Sequence, residues 1–167
     1  MKPASAPIPP PNLVCHDVRP LWTLGGAAAW LRRNVEDLLP MIEDGRLEWA
    51  WDIATSGRSR REVRVWFRSL QACKARRAGP AGAPPAPAAL SEEMVIAAVI
   101  GHSRPLLRGA EVQGILNCDR NQVARFLAAG ELLRAGSAPA GARGDGNRSP
   151  VILRGSLEGF LRRRRIC

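Results

Sequence analysis

The chain has 167 residues, 46% of them hydrophobic, which suffices for one medium domain or two small ones. Its formal net charge of +10 favours a polyanionic partner, with nucleic acid ahead of an anionic membrane. No run approaches the roughly 18 apolar residues of a membrane span, and the N-terminal residues lack the apolar region of a signal peptide, so we expect a cytoplasmic protein with no membrane partner.

The N-terminal half is predicted to be a disordered arm followed by a small domain. Residues 1–20 are rich in proline and alanine and lack apolar periodicity, which is typical of a disordered segment. Within residues 21–77, a helical pattern precedes two alternating segments, WAWDIA and EVRVWF, that flank the basic turn TSGRSR. This alternation predicts a β-hairpin. The predicted faces hold Trp49, Trp51 and Ile53 on the first strand and Val63 and Val65 on the second.

A spacer follows this domain. Residues 78–90 consist mainly of proline, alanine and glycine, and we expect this semi-rigid linker to hold the two halves apart. Residues 91–167 then form the second domain. Ser91 is the predicted cap of an extra helix that ends at Gly101 and packs on this domain.

Two further helices are predicted at the centre of the second domain. A short helix runs from Ala110 to Leu116, and a second helix starts after the capping residue Asp119 and ends before Gly130. Their shared apolar face contains Val112, Ile115, Leu116, Cys118, Val123, Phe126 and Leu127. The opposite face presents Arg120, Asn121, Gln122, Ala124 and Arg125. Beyond a long loop, residues 156–165 predict a C-terminal helix.

The two domains repeat one sequence pattern. GAAAWLRRNVEDLLPMIEDGRL aligns without a gap with AEVQGILNCDRNQVARFLAAGEL, and the numbers of Gly45 and Gly130 differ by 85. Ser69-Leu70 and Ser156-Leu157 differ by 87, because the loops between the predicted strands differ in length. We therefore predict two copies of one small domain, called here the first and second repeats.

The order helix, turn, helix, hairpin and Ser-Leu helix resembles the excisionase and MerR-like class of winged helix-turn-helix proteins. In the second repeat, EVQGILNCDRNQVARFLAAGELL and ILRGSLEGFLRRR carry the resemblance, whereas the first repeat is degenerate. The resemblance implies an α+β fold, mainly helical with small β-hairpin wings, in two tandem winged helix-turn-helix domains. It also implies that the second helix enters the major groove of double-stranded DNA.

Carried over by position, the resemblance implies base contacts by Arg120, Asn121 and Gln122 and a base or phosphate contact by Arg125. The alternative is a solvated polar helix face. Sequence-independent phosphate contacts are predicted for Arg143, Arg148, Arg162, Arg163, Arg164 and Arg165 in the second repeat and for Arg58, Arg60 and Arg61 in the first. The basic tail is alternatively a solvated chain end.

The first repeat departs from this pattern. Glu36 and Asp37 replace Asn121 and Gln122, and Pro40 replaces Arg125, so we expect no base reading there. The tryptophans of the first repeat either fill its core or form a surface for self-association or a protein partner.

The function expected from the sequence is that of a nucleoid-associated DNA-binding protein of bacterial or phage type. It acts as a transcription regulator or an excisionase-like factor, with sequence-specific or architectural binding. The four cysteines lack C-x-x-C spacing, His16 and His102 are the only histidines, and no glycine-rich phosphate loop occurs. We therefore expect no metal, no cofactor and no enzymatic activity. The alternatives are a protein–protein adaptor and a phage packaging component similar to small terminase subunits.

Overall fold

The computed structural model describes residues 19–55, 60–78, 90–136 and 150–166. Arg58, Arg143 and Arg148 lie outside these residues, as do most of the predicted arm and linker. The described chain is α+β, with helices and small antiparallel sheets, as the sequence predicts.

The two repeats share the order strand, helix, helix, strand, helix, and the first repeat has a 3-10 turn and one strand more. In the first repeat they are β1 (Leu21–Thr23), α1 (Leu24–Leu31), a 3-10 turn (Val35–Asp37), α2 (Leu38–Glu43), β2 (Ala50–Asp52), β3 (Val63–Trp66) and α3 (Phe67–Ala78). The helix α4 (Glu92–Ile100) precedes the second repeat. This repeat contains β4 (Leu106–Arg108), α5 (Gly109–Leu116), α6 (Arg120–Ala128), β5 (Val151–Leu153) and α7 (Arg154–Arg164).

The strands pair in equivalent ways. In the first repeat the sheet order is β1-β3-β2, with Leu21 opposite Trp66. In the second repeat β4 pairs with β5, with Leu106 opposite Leu153. A single bridge between Arg134 and Ile152 stands where the first repeat has β2.

Backbone conformations repeat with the sequence. Arg32 and Asn117 both end the first helix of their repeat in the left-handed conformation, with φ of 53° and 49°. Gly45 and Gly130 follow the second helix with φ of 74° and 69°, where glycine adopts the conformation without steric penalty. The residue numbers of both pairs differ by 85, as in the alignment of the two repeats.

Pro40 accompanies the main difference between the repeats. Where α6 runs for nine residues, the first repeat has a 3-10 turn followed by the six-residue α2. Proline lacks the amide that would continue the hydrogen bonding of this turn into α2. The irregular segment, Val35–Asp37, ends three residues before Pro40, and Pro40 itself lies in the first turn of α2.

The core consists of two clusters. One lies within the first repeat and includes Leu38, Ile42, Val65 and Leu70. The other joins the repeats, since Trp49, Trp51, Ile53 and Trp66 share it with side chains of α4, α5, α6 and α7. The three-stranded sheet is therefore covered on both faces.

The expectation that the linker holds the two halves apart is wrong. Besides the shared core, the amide of Ile166 donates to the carbonyl of Ala50 at 2.8 Å, and Trp51 forms a bridge with Arg165. The tryptophans Trp49, Trp51 and Trp66 are buried in this contact, so their surface is occupied within the chain.

Helix α4 lies in the shared core. Ser91 caps it by accepting from the amide of Met94, and Gly101 ends it in the left-handed conformation, as predicted. All six residues from Val95 to Ile100 are buried. An apolar surface on every side requires neighbours on every side. This helix contacts α7 and contributes to the cluster that contains the first repeat's tryptophans.

Candidate nucleic-acid interface

Helix α6 presents most of its predicted polar face to solvent. The Asp119 carboxylate accepts from the amide of Gln122 at 2.7 Å and so caps the helix. Arg120, Asn121 and Arg125 are exposed, whereas Val123 and Phe126 on the other face are buried. Two guanidinium groups and one carboxamide therefore share an open helix face.

Gln122 does not belong to that open face. Its side chain is 7% exposed, and its amide nitrogen donates to the carbonyl of Ile53 at 3.2 Å and to the carboxylate of Glu62. The prediction that Gln122 points outward is wrong, because the hairpin of the first repeat covers this part of α6. Gln122 therefore joins the two repeats and is not available to contact a base.

Arg64 fixes the turn before α6. Its Nε donates to the carbonyl of Leu116 and its Nη2 to that of Asn117, both at 3.1 Å. The last carbonyls of a helix have no partner within the helix, and Arg64 supplies one from the other repeat. Burial lowers the pKa of the Arg64 guanidinium, while the nearby Glu62 carboxylate opposes that shift.

The sequence carries a signal for Arg64 that the hairpin prediction did not use. Arg64 alternates with Val63 and Val65 and therefore shares the opposite strand face with Trp66. A guanidinium beside a buried tryptophan requires hydrogen-bond acceptors in the element that covers it.

The base of the hairpin is closed by Asp52. Its carboxylate accepts from the amides of Ala54 at 2.9 Å and Glu62 at 3.0 Å. Arg60 and Arg61, immediately before Glu62, are exposed. Glu62 contacts Gln122 of α6. Arg60 and Arg61 are therefore only one or two residues along the chain from a contact with that helix.

The basic tail is divided between solvent and internal contacts. Arg162 is exposed, and Arg163 is exposed while donating to the carbonyl of Glu131 at 3.3 Å. Arg164 pairs with the Glu131 carboxylate at 2.7 Å and donates to the carbonyl of Ala54 at 2.8 Å.

Arg165 is also used within the chain. Its guanidinium lies 4.0 Å from the ring centroid of Trp49 and 3.5 Å from the Glu92 carboxylate. The cation–π contact holds the end of α7 on the first repeat, and the ion pair joins it to α4. Arg162, Arg163 and Arg165 are thus exposed, but Arg165 is paired with Glu92 and stacked on Trp49.

The β4–β5 sheet exposes an apolar face. Its outward apolar side chains are Leu106, Val151 and Leu153, and Leu133 lies beside them in the preceding loop; the four are between 37% and 53% exposed. The equivalent positions of Leu106 and Leu153 in the first repeat are Leu21 and Trp66, which are buried in the shared core. The same face of the sheet is therefore covered in the first repeat and exposed in the second.

Cys118 lies at the turn between α5 and α6. Burial raises the pKa of its thiol to about 12, so the thiol is protonated at neutral pH. Within the described ranges, no group of three or more histidine, cysteine or carboxylate side chains is arranged to hold a metal ion.

The comparisons with known proteins give no relatives: no family model, curated protein or solved structure matches the chain. None of the helices described here has the length and apolar character needed to cross a membrane.

Proposed function

We propose that the chain is a bacterial or phage DNA-binding protein built from two tandem winged helix-turn-helix repeats. The second repeat places α6 in the major groove of double-stranded DNA, and the protein acts in the cytoplasm at the nucleoid. It regulates transcription or assists recombination in the manner of an excisionase, by occupying or bending its site.

The observation that carries the proposal is the open face of α6. Arg120 and Asn121 stand in the first helical turn, and Arg125 lies one turn beyond Asn121; all three side chains are exposed. Arginine pairs with guanine and asparagine with adenine in the major groove. The opposite side of α6 is fixed in the core, so these side chains are presented on a rigid support.

The hairpin of the first repeat extends this surface. Arg60 and Arg61 are exposed next to Glu62, which contacts α6 through Gln122. We propose that they meet phosphates beside the segment that α6 occupies, so that both repeats contact one duplex. Arg162 and Arg163 supply further phosphate contacts.

The proposal is tested by selecting DNA from a random duplex library with the full chain at physiological salt. We expect an enriched motif, and a slope of log affinity against log salt of roughly −4 to −5 for about five phosphate contacts. Retention without a motif would support architectural binding. Failure to retain DNA would refute the DNA-binding function.

A variant pair assigns the binding to α6. Arg120→Ala should weaken binding to the selected site by about 1–3 kcal/mol and flatten sequence preference. The control is Arg104→Ala, which removes the same charge from a side chain paired with Glu111 at 2.5 Å. An equal loss on selected and random DNA would refute base reading by Arg120.

The alternative function is that of a protein–protein adaptor, and the exposed apolar face of β4–β5 favours it. Sheet faces of this kind bind partner proteins or a second copy of the chain. For an adaptor, Leu106→Asp combined with Leu153→Asp would abolish partner binding or self-association in ultracentrifugation. DNA affinity would then show no sequence preference.

A further inference from the structure

An open groove with a volume of about 440 Å³ lies on the first repeat, at the turn after α1. Its polar lining comes from two parts of the chain. Arg32, Arg33, Asn34 and Asp37 belong to the turn and the 3-10 segment, and Arg77 belongs to the last turn of α3. The groove is separate from the open face of α6.

The groove gathers more positive than negative charge. Three guanidinium groups line it against the single carboxylate of Asp37. Arg32 and Arg77 are exposed, and the Nε of Arg33 is buried without a hydrogen-bond partner among the described residues. A buried donor without an acceptor is unfavourable, and neighbouring guanidinium groups repel one another. An anion in the groove would offset the repulsion among these guanidinium groups.

Arg32 occupies a backbone position that does not favour arginine. Its φ of 53° is left-handed, a conformation that asparagine adopts more readily, as Asn117 does at the equivalent position of the second repeat. The first repeat thus places a cationic side chain at this turn despite the backbone preference.

The positive surface continues along α3. Lys74 precedes Arg77 by three residues and therefore lies on the same side of the helix. The Lys74 ammonium lies 4.5 Å from the ring centroid of Trp30 on α1, and Arg33 follows Trp30 by three residues, in the turn after that helix. Cations spaced along α3 and the turn after α1 match an extended chain of phosphates better than a single small anion.

We infer that this groove binds a phosphodiester of the nucleic-acid backbone, so that the first repeat holds DNA through its phosphates. The inference rests on the proposed DNA-binding function and extends it to a repeat that lacks base-reading residues. Arg32 and Arg77 contact the phosphate oxygens, and Arg33 adds its positive charge to the groove.

The test compares Arg32→Gln combined with Arg77→Gln against the control Arg76→Gln. Arg76 adjoins Arg77 on α3 but donates to the carbonyl of Arg46 at 2.7 Å and lies 3.7 Å from the Glu48 carboxylate. Fluorescence anisotropy with a labelled 20-base-pair duplex, at several salt concentrations, gives affinity and salt slope. Thermal unfolding checks that each variant remains folded.

We expect the double variant to bind roughly 10- to 30-fold more weakly at 0.15 M salt and to reduce the salt slope by about 1.8. The control should change affinity by less than about threefold, because its guanidinium is engaged within the protein. Equal effects of the double variant and the control would overturn the inference.

Two further measurements separate the modes of failure. If Arg120→Ala weakens duplex binding and the groove variant does not, the groove inference fails while the proposed function stands. If the unaltered chain binds no duplex, both fail. Calorimetric titration with inorganic phosphate tests whether the groove binds a free phosphate instead of DNA. If the groove variant loses phosphate binding while its duplex affinity is unchanged, the ligand is a free phosphate and the nucleic-acid assignment is overturned.

Discussion

The side-chain amide of Gln122 donates to the carboxylate of Glu62, and this contact joins α6 of the second repeat to the hairpin of the first. The same amide also bonds the carbonyl of Ile53. Arg64, two residues after Glu62, bonds the carbonyls at the end of α5. One hairpin thus fixes both the turn and the first turn of the helix that follows it.

Removing the side-chain amide of Gln122 should destabilise the protein, because this amide joins the two repeats and does not face the proposed DNA site. Gln122→Ala leaves the carbonyl of Ile53 buried without its donor, and we expect the free energy of unfolding in urea to fall by about 1–3 kcal/mol. The control is the exposed neighbour Asn121→Ala, which should change it by less than about 0.5 kcal/mol. Equal stability of the two variants would contradict the contact between repeats.

The shared core predicts that the two repeats unfold together. All five tryptophans lie in the first repeat, at positions 22, 30, 49, 51 and 66, so their fluorescence reports that repeat and its contact with the second. Circular dichroism at 222 nm reports the helices of both. Because Trp51 and Trp66 pack against the second repeat, we expect the two signals to follow one urea transition.

Separate transitions for fluorescence and circular dichroism would mean that the repeats are independent domains. A fragment that ends near residue 81 provides the matched control, since it retains every tryptophan and lacks the second repeat. Exposure of Trp51 and Trp66 should shift its emission to longer wavelength and lower its unfolding midpoint. A fragment as stable as the full chain would show that the shared core contributes nothing to stability.

Local structure followed from the sequence because its determinants are local. Asp119 and Ser91 accept from the amides three residues ahead, and Gly130 adopts the left-handed conformation that follows a helix. Each of these depends on a few neighbouring residues. The boundaries of α6 were therefore predicted to within one residue, at Ala128 instead of Ala129.

The packing between the repeats could not be predicted from the linker. The composition of a linker indicates its stiffness, and it does not indicate which surfaces of the two repeats contact each other. The hairpin nevertheless carried a usable signal. Trp51 and Ile53 on one face and Val63 and Val65 on the other give a sheet that is apolar on both sides. Such a sheet needs a cover on each face, and the second repeat supplies one of them. Gln122 is buried because the hairpin of the first repeat lies against it. Its neighbours in the sequence do not distinguish it from the exposed Asn121, so its burial could not be predicted locally.

The tail arginines should separate into one that serves DNA binding and one that serves stability. Arg162 is exposed, whereas Arg164 pairs with Glu131 and bonds the carbonyl of Ala54. Arg162→Ala should weaken duplex binding roughly fivefold at 0.15 M salt through the loss of one phosphate contact. Its free energy of unfolding should stay within about 0.5 kcal/mol of the unaltered chain.

Arg164→Ala is the matched variant, because it removes the same side chain two residues later in α7. It leaves the partly buried Glu131 carboxylate without this cation, so we expect a loss of about 1–3 kcal/mol in the free energy of unfolding. Duplex affinity, measured where the variant is fully folded, should fall less than for Arg162→Ala. If Arg164→Ala weakened DNA binding as much and left stability unchanged, the tail would be a uniform phosphate-binding segment and its internal contacts would carry no stability.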